Sequence, residues 1–190
     1  KGNLKKALLN GLISTSPGNA KIDITYNKDH NNSPIKLSGK VSTENFNIGQ
    51  LINNKLLGNI GVNTEFNASI AKSKINGYFL GDISHFQFKS YTYQGIKTLF
   101  DLENKKVNGS LIINDNNIDM VIAGEALLNE KAPIFDLHIE ANDIALYNLN
   151  LIDKYPEYHL SATAHAEYNG TSFNDAIANL SVNSLKFISP

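Results

Sequence analysis

The chain has no cysteine. Disulfides, thiol nucleophiles and thiolate metal sites are thereby excluded, and the absence suits an oxidising compartment, where a stray thiol is a liability. Arginine is missing too: all 17 basic residues are lysine, so the planar fork that favours phosphate is not available. With a net charge of −1 there is no basic field to hold nucleic acid, and no nucleic-acid partner is expected. No apolar run approaches the ~18 residues from which a spanning helix is read. There is no glycine-rich phosphate loop and no charged-then-apolar leader. The first residue is Lys1, and the last stretch, Phe187-Ile188-Ser189-Pro190, has a strand-like pattern, so a piece of a longer protein is expected.

What is present is apolar material in strict alternation. The apolar fraction is 42% of 190 residues, too high for disorder and enough for one long or two short domains. Ile22, Ile24 and Tyr26 alternate with Lys21, Asp23 and Thr25; Ile35, Leu37, Gly39 and Val41 with Lys36, Ser38 and Lys40. Ile60, Val62, Thr64, Phe66 and Ala68 alternate with Gly61, Asn63, Glu65 and Asn67. The same period of two runs through Phe86–Phe88, Ile96–Leu102, Val107–Ile113, Ile118–Gly124, Phe135–Ala141 and Leu160–Ala166. Each segment reads as a half-buried strand with one wet and one dry face. The connections, Asn27–Ser33, Glu103–Lys106 and Asn114–Asn117 among them, are short and polar. None can hold a crossover helix, so about ten strands should form an antiparallel meander.

Two features interrupt the alternation. Leu4, Ala7, Leu8 and Leu12 stand at helical spacing, so residues 1–19 read as a short amphipathic helix or linker ahead of a repetitive segment, 20–190. Within that segment, 41–89 resembles 139–187 at an offset of about 98 to 100 residues: Asn45–Leu51 lines up with Asp143–Leu149, and Ile60–Thr64 with Leu160–Ala164. The matched stretches Ile48–Leu56 and Leu146–Tyr155 lose alternation and read as a short helix or corner, once per repeat. Self-similar, strand-rich units point to an elongated stacked architecture rather than a compact enzyme with one cleft.

Candidate chemistry is sparse. Asp136, His138 and Glu140 share one face of one strand at intervals of about 7 Å, and a metal or acid–base cluster is weighed against the solvated side of an amphipathic strand. Leu137 and Ile139 between them favour the solvated side. His159, Ser161, Thr163 and His165 also share a face, but spacing along one strand aims them in parallel and not at a common point. Asn114–Asp119 lacks the glycine and closing glutamate of a calcium loop and reads as a hairpin turn. Asn67, Asn108, Asn169 and Asn179 begin glycosylation-type triplets, which an asparagine-rich chain supplies by chance. No catalytic constellation, metal site or cofactor is expected.

The dry face is the remaining signal. It consists of Ile22, Ile24, Ile35, Leu37, Val41, Ile60, Val62, Phe66, Phe86, Phe88, Phe100, Leu111, Ile113, Met120, Ile122, Phe135, Leu137, Ile139 and Leu160. Lys36, Lys40, Asn63, Glu65, Asp136, His138, Glu140 and His165 should face water. Such a meander covers its dry face by closing as a barrel, folding over as a sandwich or curling into a trough. Gly39, Gly109, Gly124, Ala162 and Ala164 among bulky neighbours suit strong curvature.

The string Gly39–Leu51, then Leu57–Ile60, resembles the repeats of TamB-type translocation and assembly proteins, within the AsmA-like bridge proteins. Tyr91–Gly95, Leu102–Leu111, Ile113–Asp119 and Gly124 are similar to the strand, Asn-Lys-Lys, strand, Asp-Asn-Asn, strand pattern of those repeats, and the asparagine- and lysine-rich style is similar to Bacteroidota members. The resemblance covers Leu12 to Phe187. It implies an all-β fold, an open taco-like groove with an apolar interior lined by the residues above. It implies a periplasmic location, an inner-membrane anchor and an Omp85-type outer-membrane partner on the parent chain. It also implies passage of phospholipid acyl chains between the membranes, in support of outer-membrane protein assembly and secretion. Two other readings stand beside it: a β-solenoid or adhesin-like stalk with a closed core, and a periplasmic enzyme using the Asp136, His138 and Glu140 face.

Overall fold

A computed structural model describes residues 5–30, 32–72, 74–128, 132–170 and 177–188. The strands are β1 (Lys6–Thr15), β2 (Gly18–Asn27), β3 (Ile35–Asn47), β4 (Leu57–Ala71), β5 (Lys74–Phe88) and β6 (Tyr91–Glu103). They continue with β7 (Lys106–Asp115), β8 (Ile118–Leu127), β9 (Ile134–Ala145), β10 (His159–Asn169) and β11 (Ile177–Ile188). One helical turn, α1 (Ile48–Ile52), joins β3 to β4. The 11 strands form one sheet in sequence order, each antiparallel to the next, and β1 does not pair with β11. The protein is therefore an open all-β meander curled into a groove, as the alternation and the resemblance lead one to expect.

Tight turns fix the registers. Phe88 pairs with Tyr91 around Lys89-Ser90, whose φ values of 47° and 66° are those of a primed hairpin turn. Glu103 pairs with Lys106 around Asn104-Lys105, and Asp115 with Ile118 around Asn116-Asn117. The Asn114–Asp119 stretch is thus the hairpin turn its composition suggests.

The first strand corrects one expectation. Lys6–Thr15 is strand, paired with β2 from Lys6↔Asn27 to Thr15↔Gly18, where the spacing of Ala7, Leu8 and Leu12 suggests a helix; Leu4 lies outside the described residues. A helix this short, with Gly11 at its middle, is marginal alone, whereas the β2 edge offers it a full ladder. The helical spacing arises because both faces are apolar: Leu9 and Ile13 point one way, Leu8 and Leu12 the other.

The two corners take the same place in the ladder. Both follow odd-numbered strands, so they lie at the same end of the sheet. In the first, the Asn47 side chain accepts from the Gln50 amide at 2.7 Å and caps α1, while the Asn47 amide donates to the Pro17 carbonyl at 2.8 Å. In the second, the Ala145 amide donates to the Asn117 carbonyl at 2.9 Å, and residues 146–150 turn back.

Little of this molecule is deeply buried. Its accessible surface is 12720 Å², whereas a compact monomer of its mass exposes about 9,000 Å². Among the described residues, one core cluster, Tyr93, Ile96, Ile113, Ile118 and Leu149, lies at the corner end, with Ile83, Phe86, Met120 and Ile144 packed against it.

Candidate functional site

Residues directly opposite in a ladder share a face, so the registers assign every strand position. One row runs Gly11, Ile22, Val41, Thr64, Gly81, Thr98, Leu111, Ile122, Ile139, Ala164 and Val182. The next runs Leu9, Ile24, Gly39, Phe66, Phe79, Phe100, Gly109, Gly124, Leu137, Ala166 and Leu180. A third carries Leu37, Ala68, Leu102, Val107 and Phe135, and Ile35 pairs with Ile70 beyond it. Toward the corners follow Val62, Ile83, Ile96, Ile113, Met120 and Ala141, then Ile60 with Phe86 and Leu57 with Phe88, and Ile118 with Ile144 and Leu160. All the residues assigned to the dry face from sequence fall in these rows.

Bulges keep the rows aligned, two of them next to the core. Tyr93 and Ile96 are three residues apart yet both buried on the dry side, because Gly95 adopts a φ of +60° between them. On β9, Ala141 faces Ala162 while Ile144 faces Leu160, and the extra residue is Asn142, skipped between Asp119↔Asp143 and Met120↔Ala141. Glycine holds the curvature elsewhere. A Cβ at Gly39 would lie 2.1 Å from the Asp23 carbonyl oxygen, and one at Gly109 would lie 2.2 Å from the Phe100 ring.

The dry side chains crowd one another while those of the wet face splay apart. Ile96 is 4% and Ile113 8% exposed, against 41% for Leu80 and 44% for Leu99 on the opposite face. Phe79 and Phe100 meet with ring centroids 6.3 Å apart, and Tyr91 and Tyr93 edge-on at 4.8 Å. At the corner end, Leu149 is fully buried in one cluster with Tyr93, Ile96, Ile113 and Ile118. A polar knot ties the same end. Tyr91 Oη donates to Asp115 Oδ1, whose carboxylate also accepts from the Gln94 amide at 2.9 Å and the Asn117 amide at 3.0 Å. Burial raises the Tyr91 phenol above its usual 10.0, and the Asp115 carboxylate beside it pushes the same way; burial likewise raises Tyr93.

The wet face carries exposed ion pairs, Lys40 with Glu65 at 3.5 Å and Lys106 with Glu125 at 2.5 Å, each worth under about 1 kcal/mol. A hollow of about 630 Å³ is also on this side, between Lys21, Asp23, Lys40, Asn63, Glu65 and Lys97. Lys36, Lys40, Asn63, Glu65, Asp136, His138, Glu140 and His165 all belong to wet rows.

The register makes one meeting that spacing along a single strand does not reveal. His165 on β10 lies directly opposite His138 on β9. The rings stack at 4.8 Å, and His165 Nε2 sits 2.6 Å from Asp136 Oδ1. Glu140 is not part of this cluster. His159 pairs with Asp143 at 2.7 Å, and Thr163 bonds Ser184 at 2.8 Å, so neither histidine has a serine partner among the described residues. Among the described residues, no helix is long and apolar enough to cross a membrane. Comparison with known proteins finds no matching family model, no matching curated relative and no matching solved structure.

Proposed function

We propose that this sheet is a segment of a periplasm-spanning β-groove that carries phospholipid acyl chains between the inner and outer membranes. In this reading the parent chain is anchored in the inner membrane and meets an Omp85-type outer-membrane protein, in support of outer-membrane protein assembly, like the TamB-type repeats that the sequence resembles. The observation that carries the reading is the unbroken dry face, present on every strand of the unclosed sheet from Leu9 on β1 to Leu180 on β11. Ten steps of about 4.8 Å give a track of roughly 48 Å. One acyl chain occupies about half of the ~30 Å hydrocarbon core of a bilayer, so the track exceeds it about threefold. An exposed apolar surface of that extent asks for an apolar guest. Movement along it needs many weak, similar contacts and no chemistry.

A photo-reactive amino acid at Ile122, on the dry face, should crosslink lipid from the membranes of the producing cell. The same residue at Val121, on the wet face, should not. Mass spectrometry of an organic extract of the purified chain should find phospholipid. A folded protein with no lipid at Ile122 and none in the extract would sink the proposal. The second reading is a structural stalk with a closed core. The filled end under Leu149 favours it, and it requires both lipid measurements to be negative.

A further inference from the structure

We propose that Asp136, His138 and His165 form a binding site for a divalent cation of the zinc class, on the wet face and independent of the lipid reading. The ligand atoms of the three side chains all lie within 4.8 Å of one another. Bonds of 2.0–2.2 Å in a tetrahedron place neighbouring ligands about 3.3 Å apart. The widest gap must therefore close by about 1.5 Å, which rotation of exposed side chains can supply. The His165 and Asp136 side chains are 30% and 48% exposed and are held by each other at 2.6 Å, already shorter than the tetrahedral edge.

The donor set selects the ion. Two imidazoles and one carboxylate, with no thiolate available anywhere in the chain, suit Zn²⁺, Ni²⁺ or Co²⁺. Mg²⁺ and Ca²⁺ prefer an all-oxygen shell. A fourth position is at hand. Beside His165 is a hollow of about 480 Å³ lined by Glu167, Asn179 and Ser181. Glu167 lies directly across the ladder from Asp136 and is held by Asn179 Nδ2 at 3.2 Å, so water or this carboxylate can complete the shell.

The stacked imidazoles also favour one shared cation at their nitrogen edges, where the ring lone pairs lie. Two parallel rings 4.8 Å apart repel if both carry protons, whereas one metal ion uses a lone pair from each. Within the same two strands, His159 and Asp143 make a contact of nearly equal length that has no second imidazole. Because the ligands come from β9 and β10, a bound ion pins that register next to β11, which is exposed along its whole length.

ZnCl2 titrated into the full chain by isothermal calorimetry should show one saturable site, with NiCl2 competing and MgCl2 giving no binding. His138→Ala and His165→Ala should each weaken Zn²⁺ binding at least tenfold, since even outer-shell changes cost about 10–100-fold. His165→Gln, which keeps a polar chain of similar size, should behave like His165→Ala. His159→Ala should bind as the unaltered chain does. Amide exchange should slow on β9 and β10 when Zn²⁺ is added. Absence of saturable Zn²⁺ binding overturns the proposal, as does a His138→Ala or His165→Gln chain that retains its β-sheet circular dichroism and binds Zn²⁺ unchanged.

Discussion

Leu51 and Leu149 stand at matching points of the two corners, yet Leu51 is 61% exposed and Leu149 0%. The difference lies in what each corner meets. Leu149 is buried in a cluster with Tyr93 and Ile96 of β6, Ile113 of β7 and Ile118 of β8. The first corner leans on the β1–β2 hairpin instead, where Gln50 Nε2 donates to Ser16 Oγ at 2.8 Å, and it buries the backbone of Gly49 in place of a leucine. Leu149→Ala should therefore cost about 2–5 kcal/mol through lost burial and a residual cavity. Leu51→Ala should cost under about 0.5 kcal/mol. Urea midpoints of the two variants separate them, and equal losses would mean that Leu149 does not seal the corner end.

The knot at the same end predicts an alkaline limit. Tyr91 has its pKa raised first by burial and then by its bond to Asp115. The folded state therefore holds this proton more tightly than the unfolded chain. That contribution is fully present below pH 10.0, the phenol's unperturbed value, and is lost as pH rises through the folded value. Tyr91→Phe should flatten the alkaline loss. At neutral pH it should cost only about 0.5–1.5 kcal/mol, because Asp115 keeps the amides of Gln94 and Asn117. Thermal midpoints from pH 7 to pH 11 test both parts.

Gly95 sets the bulge that turns Tyr93 and Ile96 to the same side. Its φ of +60° disfavours any Cβ, and one built there would lie 2.2 Å from the Asn114 carbonyl oxygen. Gly95→Val should destabilise by about 1–3 kcal/mol or more, since both strain and a backbone clash act against it. Gly11→Val, on an edge strand with nothing within 4 Å of its Cβ position, should be neutral or slightly stabilising. Paired denaturation curves decide this, and a tolerated Gly95→Val would remove the bulge as the cause of the core's alignment.

How far the sequence reaches follows from the same residues. Strands such as β2 and β9 are legible because one side is wet and the other dry. β1 is misread because Leu8 and Leu12 make its wet face apolar as well, so two periods fit one segment. β11 blurs because a register shift opposite Thr163 and Ala164 leaves Val182 and Leu185 three apart on the same face. The His138 and His165 pair is hidden for a related reason. Its register depends on the bulge beyond Ala141 and on the length of the second corner, neither of which alternation encodes. Leu149 gives no sign of its burial, since its counterpart Leu51 has the same chemistry and the opposite fate.

Charge on the dry face should distinguish groove from core, now at two unlike positions. Sequence alternation treats Val62 and Ile113 alike, but Ile113 belongs to the cluster beneath Leu149, whereas Val62 is half-buried and lies outside it. Ile113→Asp places an unpaired carboxylate in the sealed end and should cost several kcal/mol, enough to unfold a sheet with so small a core. Val62→Asp leaves its carboxylate within reach of water, and its cost should be nearer 1–2 kcal/mol. The folded Val62→Asp chain should then lose lipid crosslinking at Ile122, four strands along the same face, because a charge on the floor repels passing acyl chains. Thermal midpoints and crosslinked lipid, measured on the same preparations, read the two effects separately. A Val62→Asp chain that unfolds like Ile113→Asp identifies the whole dry face as closed core, and one that folds and still crosslinks lipid removes the groove floor from the transport path.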